Sequence, residues 1–449
     1  MTNTDHITSG PITRTIFSLS IPVVLNMFME FALTSTDYFW VGKLGSTAQD
    51  AVTSSMVVIW TVFAFISIIC IGVTALVSRY IGARNPDKAA HYARQGLALA
   101  VGIGLTFSLA GIILTPSMLN FMDTSVATSV HAVPYLRISF GIAVLFFILD
   151  AIYAIFRASG DTRTPTKVGM VTVVLNMALD PLFIFGLGPI PAMGVPGAAL
   201  ATGVSVLVGV TWITVRMMRG GLGFDIGRVL RVPVHIRDML KIIRIGLPIA
   251  SQQLVFVVVY WFLIKYVHEF GEVAAAAMGI GNRMESLSYL TCFGVSIAAS
   301  TMVGQNLGAG KPDRAARCAW GATGIAIGLT LVTSLLFILL PRQIASIFTD
   351  DPEVLHIAAD YLVILGLSQT AMAIEIVLEG AFGGAGDTIP PMVVSVPGSL
   401  ARIPMAYFLC FTLDWGINGI WWTLTITTLI KAIILGMWFK MGNWKKKQL

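Results

Sequence analysis

Long apolar runs separated by short polar stretches recur along this chain from one end to the other. Residues 52–77 and 96–116 are two of them. Each is long enough, as a helix, to cross about 30 Å of hydrocarbon. Twelve such spans are predicted, at residues 15–40, 51–78, 90–115, 131–157, 167–187, 194–218, 241–268, 275–303, 315–341, 355–383, 390–413 and 416–440. Backbone groups in lipid must be satisfied internally, which a helix does by itself. The expected fold class is an all-α integral membrane protein with twelve transmembrane helices.

Composition agrees with the pattern. Charged residues make up 12% of the 449 residues, about half the share usual in soluble domains, and the mean hydropathy is +0.82. The polar N-terminal lead runs into an apolar segment that carries Glu30 and Asp37. A cleaved signal peptide has a short uncharged apolar region, so this first span is expected to be retained. Cys70, Cys292, Cys318 and Cys410 lie in or beside apolar spans with no CxxC pair, which points to neither a disulfide nor a metal cluster.

The net charge of +6 would suit nucleic acid if it formed a patch, but its placement says otherwise. Of the 29 Lys and Arg, 22 lie in the two terminal segments and in the connections after the second, fourth, sixth and eighth spans. The positive-inside rule assigns those segments to the cytoplasm. Both termini are then cytoplasmic, as an even number of spans requires. The expectation is a multi-pass protein of a prokaryotic cytoplasmic membrane, with no nucleic-acid partner.

The sequence repeats itself. LVSRYIGARNPDK at 76–88 is echoed by MVGQNLGAGKPDR at 302–314, and FRASGDT at 156–162 by FGGAGDT at 382–388, in each case 226 residues on. The same offset relates Pro22 to Pro248 and Gly45 to Gly271. Two homologous halves with an even number of spans share one orientation, a parallel repeat. The expected division is an N-terminal lobe at 1–218, a cytoplasmic linker at 219–240 and a C-terminal lobe at 241–449. Two such lobes around a central cleft suit alternating access. Gly82 and Gly308 are expected to end helices in the left-handed conformation, and the GDT segments to turn the chain. GAGKPD lacks the spacing and the Ser or Thr of a phosphate loop, so ATP hydrolysis is not expected.

Polar residues inside the spans are the strongest pointers to function. VVLNMALDPLFIF at 173–185 holds Asn176 and Asp180 four apart, on one helix face. Depth along the helices places Asp37 and Thr202 near them. Two carboxylates, an amide and a hydroxyl make a hard-oxygen site suited to Na⁺ or to a shared proton. The alternatives are that Asp37 is a wetted helix-end carboxylate and that Asn176 and Asp180 only bond neighbouring helices. At the repeat offset these positions become Leu263, Arg402 and Ala406, an asymmetry that favours one cation site, in the first lobe. Asn26, Glu30 and Asp150 are further polar residues of that lobe. In the second lobe Gln252, Gln253, Arg283, Glu285, Glu375 and Glu379 stand out. Glu375 and Glu379 either attract a cationic substrate or form a network with Arg283 or Arg402.

Taken together, TDYFWVGKLG, GARNPDKA, GAGKPDRA, FRASGDTRTPT, FGGAGDTIPPM, NMALDPLFIFGLG and GVPGAALAT resemble the multidrug and toxic compound extrusion (MATE) family over essentially the whole chain. The resemblance implies two six-helix lobes around a V-shaped cleft and export of amphipathic, often cationic compounds driven by H⁺ or Na⁺. It is nearest the DinF-like branch, whose cation site matches Asp37, Asn176, Asp180 and Thr202 here, with the first-helix bend at Pro22. The NorM-like branch uses an acid on the seventh helix, and none lies between Lys241 and His268. Four extra residues, Pro189 to Ala192, lengthen one loop and put Thr202 in question. Asn26, Glu30, Gln252, Gln253, Glu375 and Glu379 are candidate substrate contacts. No cofactor beyond the coupling ion is expected; the partners are small amphipathic molecules and lipid, and the protein is expected to be a monomer. The nearest rival is a flippase for a lipid-linked precursor. An embedded hydrolase would need a Ser with a His at matching depth, whereas all six His lie in loops or near span ends. A channel would need a ring of pore-lining groups.

Overall fold

The computed structural model describes residues 3–122, 124–186, 188–220, 222, 224 and 233–448. Ten of the 22 residues of the expected linker, including Arg228 and Arg231, lie outside the described residues. Among the described residues there are helices and no strands. A short α1 (Asn3–Ser9) precedes six long helices: α2 (Ile12–Gly42), α3 (Ser46–Gly82), α4 (Pro86–Phe121), α5 (Val126–Ala158), α6 (Arg163–Phe185) and α7 (Val195–Met218). The second half begins with α8 (Ile236–Glu269), α9 (Glu272–Gly308) and α10 (Pro312–Leu339), then the short α11 (Pro341–Ala345). It continues with α12 (Pro352–Gly366), α13 (Gln369–Ala385), α14 (Ile389–Leu400) and α15 (Arg402–Tyr407), a π-helical turn at Phe408–Thr412, and α16 (Asn418–Met441).

Among the described residues, eleven spans are long and apolar enough to cross a membrane, α14 to the π-helical turn counting as one. The pair α12 and α13, bent by 53° where they meet, makes a twelfth when counted as one broken span. The twelve spans read from the sequence therefore recur in order, the tenth of them broken at Gly366–Gln369. Apolar side chains cover the outer faces as lipid requires: Leu109 and Ile113 of α4 are 64% and 73% exposed.

The chain forms two compact units. One holds residues up to Asp5 together with Leu25–Gly246; the other holds His6–Val24 and everything from Leu247 onward. The boundaries thus fall inside helices, just after Pro22 in α2 and just before Pro248 in α8, four residues apart in the repeat register. In the first unit α5 packs on α3, α4 and α7, and α6 packs on α7. The C-terminal end of α5 is buried almost without interruption from Leu149 to Ala158. In the second unit α9 packs against α10, α12 and α13.

The repeated loops show how the halves are built alike. Proline opens both α4 and α10 at the first helical turn, where its missing N–H costs nothing. The left-handed residue of each loop is Arg84 (φ 54°) in the first half and Gly310 (φ 70°) in the second. This corrects the expectation for Gly82 and Gly308, which are the last residues of α3 and α9; the chain reverses two residues later. Both GDT turns carry a left-handed glycine, Gly160 and Gly386. GAGKPD proves structural: Lys311 Nζ donates to the Thr8 carbonyl at 3.0 Å and the Arg314 guanidinium donates to the Gly10 carbonyl. Cations thereby satisfy carbonyls at the C-terminal end of α1. The start of α8 is held to α4 by Gln95, which donates to the Pro233 carbonyl and accepts from His235 N–H, each at 2.9 Å.

Candidate cation-binding site

The site is set by the inner stripe of α6. Val173, Asn176, Asp180 and Ile184 share one buried face, with Asn176 1% and Asp180 0% exposed. Ile184 packs into an apolar cluster with Val41, Ala48, Val52, Val195 and Ala198, closed by Trp40, Met56 and Tyr135. That cluster gathers the ends of α2, α3, α6 and α7 around the polar residues beside it. The loop between α6 and α7 is pinned by backbone bonds from Met193 N–H to the Phe183 carbonyl and from Gly194 N–H to the Ile184 carbonyl, both 3.0 Å. Gly197 lies so close that a Cβ there would collide with the Phe183 carbonyl oxygen.

This pinning absorbs the extra residues 189–192, and Thr202 stays opposite α6. Asn176 Nδ2 donates to Thr202 Oγ1 at 3.2 Å, and that hydroxyl donates to the Ala198 carbonyl at 3.1 Å. The carboxyl groups of Asp37 and Asp180 meet within hydrogen-bonding range. Two carboxylates in contact repel unless a proton or a cation lies between them. Asp180 Oδ1 is buried with no hydrogen-bond partner, a state that normally marks a missing water, ion or functional role. The Asn176–Thr202 and Asp37–Asp180 contacts thus lie one turn apart on the same buried face of α6. Tyr135 of α5 lies within electrostatic reach of both carboxyls. Sequence reading missed it; its only signal was a phenol near the end of the fourth span.

The other candidates fall elsewhere. Asn26 is buried and donates from Nδ2 to Glu30 Oε1 at 2.6 Å, and it lies so close to α6 that a Cβ on Gly169 would meet Asn26 Oδ1. Asp150 and Arg157 of α5 are electrostatic neighbours of Glu30. Pro22 lies within α2, which is helical on both sides of it. Gln252 is buried and Gln253 half-buried in α8. Glu375 is paired neither with Arg283 nor with Arg402 but with Lys431, at 2.6 Å. Arg402 is spent on Thr427 and Thr428, at 2.9 and 3.1 Å. Glu379 accepts from Ser395 Oγ at 2.7 Å.

Helices long and apolar enough to span a membrane, in two like units, one of them with buried acidic oxygens inside its spans, fit the class of membrane transporters. Comparison with known proteins narrows it. The sequence model of the MatE family matches residues 22–182 and again 248–408, two stretches 226 residues apart, and the chain belongs to this family of multidrug efflux transporters. It is 28% identical over 438 residues to a probable multidrug resistance protein NorM of Thermotoga maritima, covering 97% of this chain and 94% of that one. It is also 28% identical over 442 residues to an FAD transporter of Shewanella oneidensis, covering 95% and 94%. A crystal structure of MATE in complex with MaD3S superposes with a TM-score of 0.91 at 24% identity, covering 98% of this chain and 99% of that one.

Proposed function

We propose that this protein is a secondary antiporter of the DinF-like branch that exports amphipathic, often cationic compounds in exchange for inward H⁺ or Na⁺. The observation that carries the reading is the contact of Asp37 with Asp180 beside the Asn176–Thr202 pair. Supporting it, the family relatives include multidrug resistance proteins. The protein works in the cytoplasmic membrane with both termini inside, as a monomer.

With the site open to the outside, Asp37 and Asp180 take up Na⁺ or a proton, which removes the repulsion between α2 and α6. α2 then bends near Pro22, and the state that held substrate is disfavoured. Substrate leaves outward, the transporter turns inward, and the cation is released. Coupling follows only if cation and substrate favour different states, since a ligand that binds both equally shifts nothing.

The test is efflux in proteoliposomes with the Na⁺ and pH gradients imposed one at a time. One gradient is expected to drive concentrative export of a lipophilic cation, and Asp37→Asn or Asp180→Asn, with unchanged folded yield, to abolish it. Full-rate uphill export by both variants would sink the proposal. The FAD-transporting relative makes an anionic dinucleotide the second cargo to assay.

A further inference from the structure

The C-terminal unit has a cavity at the end of a span that cation and substrate exchange do not use. It lies where α10 ends, roofed by the short helix α11 and backed by α12. α12 runs back along α10, and the two helices close tightly at one level. Ser334 Oγ donates to the Gly366 carbonyl at 2.6 Å, and a Cβ on Gly366 would crowd Ile338. Further along, α11 packs against both helices, its Ala345 buried with Phe337, Val354 and Ala358 in one apolar cluster. The helices part there, and the gap between them has a volume of about 360 Å³, within the roughly 300–1,000 Å³ of pockets that take small molecules.

The lining is polar on one side and apolar on the other. Arg342 of α11 and His356 and Asp360 of α12 face Ile338, Leu339 and Val363 across it. Among the described residues, no side-chain hydrogen bond engages Arg342 or Asp360; His356 Nε2 stands 3.9 Å from Asp360 Oδ2, beyond hydrogen-bond reach. One guanidinium and one carboxylate are thus available in the same cavity. The position is that of a membrane surface, since α10 is a span that ends at Leu339. Leu339 is 70% exposed, and beyond α11 so are Ile347 and Phe348, at 75% and 42%, apolar side chains suited to the lipid boundary. Charge limits what can enter. Asp350, Asp351 and Glu353 lead into α12 just before His356, so a purely anionic group would meet one arginine and several acids. A small soluble ion would leave the apolar wall bare. A zwitterion that carries acyl chains satisfies both sides.

We propose that this cavity binds the headgroup of a zwitterionic aminophospholipid. Arg342 donates to the phosphodiester, the pairing that a guanidinium fork makes best. The primary ammonium of the headgroup donates to Asp360, with two further N–H groups left for water or the ester oxygens. The glycerol and the first part of an acyl chain cover Leu339 and Val363. A trimethylated ammonium has no N–H to give Asp360, and a headgroup without a cation leaves Asp360 facing the phosphate. The site is distinct from Asp37 and Asp180 and does not depend on their role.

The test is native mass spectrometry of the full chain released from detergent micelles. It is titrated with phosphatidylethanolamine, phosphatidylcholine and phosphatidylglycerol of the same chains, and with soluble phosphoethanolamine as competitor. The first phosphatidylethanolamine is expected to bind at least about fivefold more tightly than either other lipid, as one charge-assisted hydrogen bond allows. Phosphoethanolamine should not displace it. Arg342→Gln should weaken that binding, and Asp360→Asn should remove the preference over phosphatidylcholine. Arg342 is exposed and Asp360 half-buried, so both variants should fold. Val363→Trp fills the cavity while keeping both charges, and should also weaken binding. Equal affinity for the three lipids or tighter phosphatidylglycerol would overturn the proposal. So would binding untouched by Arg342→Gln or Val363→Trp, a preference that survives Asp360→Asn, or displacement by phosphoethanolamine, which would make the ligand a free solute.

Discussion

Thr202 carries more weight than a lone hydroxyl at a helix surface suggests. It accepts from Asn176 and donates to its own helix, so it fixes which way the amide turns beside Asp180. Thr202→Val keeps the shape and removes the acceptor, a loss of about 1 kcal/mol for one such bond. The apparent affinity for the coupling cation is then expected to weaken roughly fivefold, with Thr202→Ser restoring it; a cation titration of transport rate reads the effect. The face shared by Asn176 and Asp180 was legible from a spacing of four, and helix depth was enough to bring in Asp37 and Thr202. Tyr135 and Lys431 were not legible. Depth can be counted along a span, but the rotation of α5 and α16 about their own axes is set by packing partners far away in the chain. Lys431 offered one clue, a solitary cation inside an apolar span, which in lipid needs a buried acid.

Among the helices, close approach depends on absent side chains. Gly380 and Gly384 of α13 face α9 so closely that a Cβ on Gly384 would collide with the Ser300 carbonyl oxygen, the small-xxx-small arrangement that lets membrane helices touch. Gly324 of α10 has nothing within 4 Å of a Cβ position. Gly384→Leu is therefore expected to cost at least about 1–3 kcal/mol through forced overpacking, seen as a lower thermal midpoint and folded yield in detergent. Gly324→Leu is expected to leave both unchanged, and equal effects would contradict the packing. The span pattern gave each helix but not the break between α12 and α13, because the apolar run continues through Gly366 and Ser368 without a proline. The same limit applies to the reversal at Arg84, where Asn85 and Pro86 set up the next helix from outside and force a non-glycine residue into the left-handed region.

Across the whole molecule, the charge asymmetry makes a topological claim. If the basic loops face the cytoplasm, a single cysteine at exposed Lys43, between α2 and α3, should react with an impermeant maleimide added outside intact cells. One at exposed Arg84, between α3 and α4, should react only after lysis. The four native cysteines are free in the structure and would first be replaced. The reverse labelling pattern would invert the orientation. The 226-residue offset was visible in the bare sequence and matches the two stretches of the family match. The membership of the opening segments was not, because nothing local marks which unit a helix joins. His6–Val24 is built into the C-terminal unit, and the start of α8 up to Gly246 into the N-terminal one. A half-length polypeptide of this design would be incomplete by itself, having given away its first turns and lacking those it should receive. Cut in the linker, the two fragments would need each other to fold, as in a segment-exchanged dimer whose partners happen to be joined end to end.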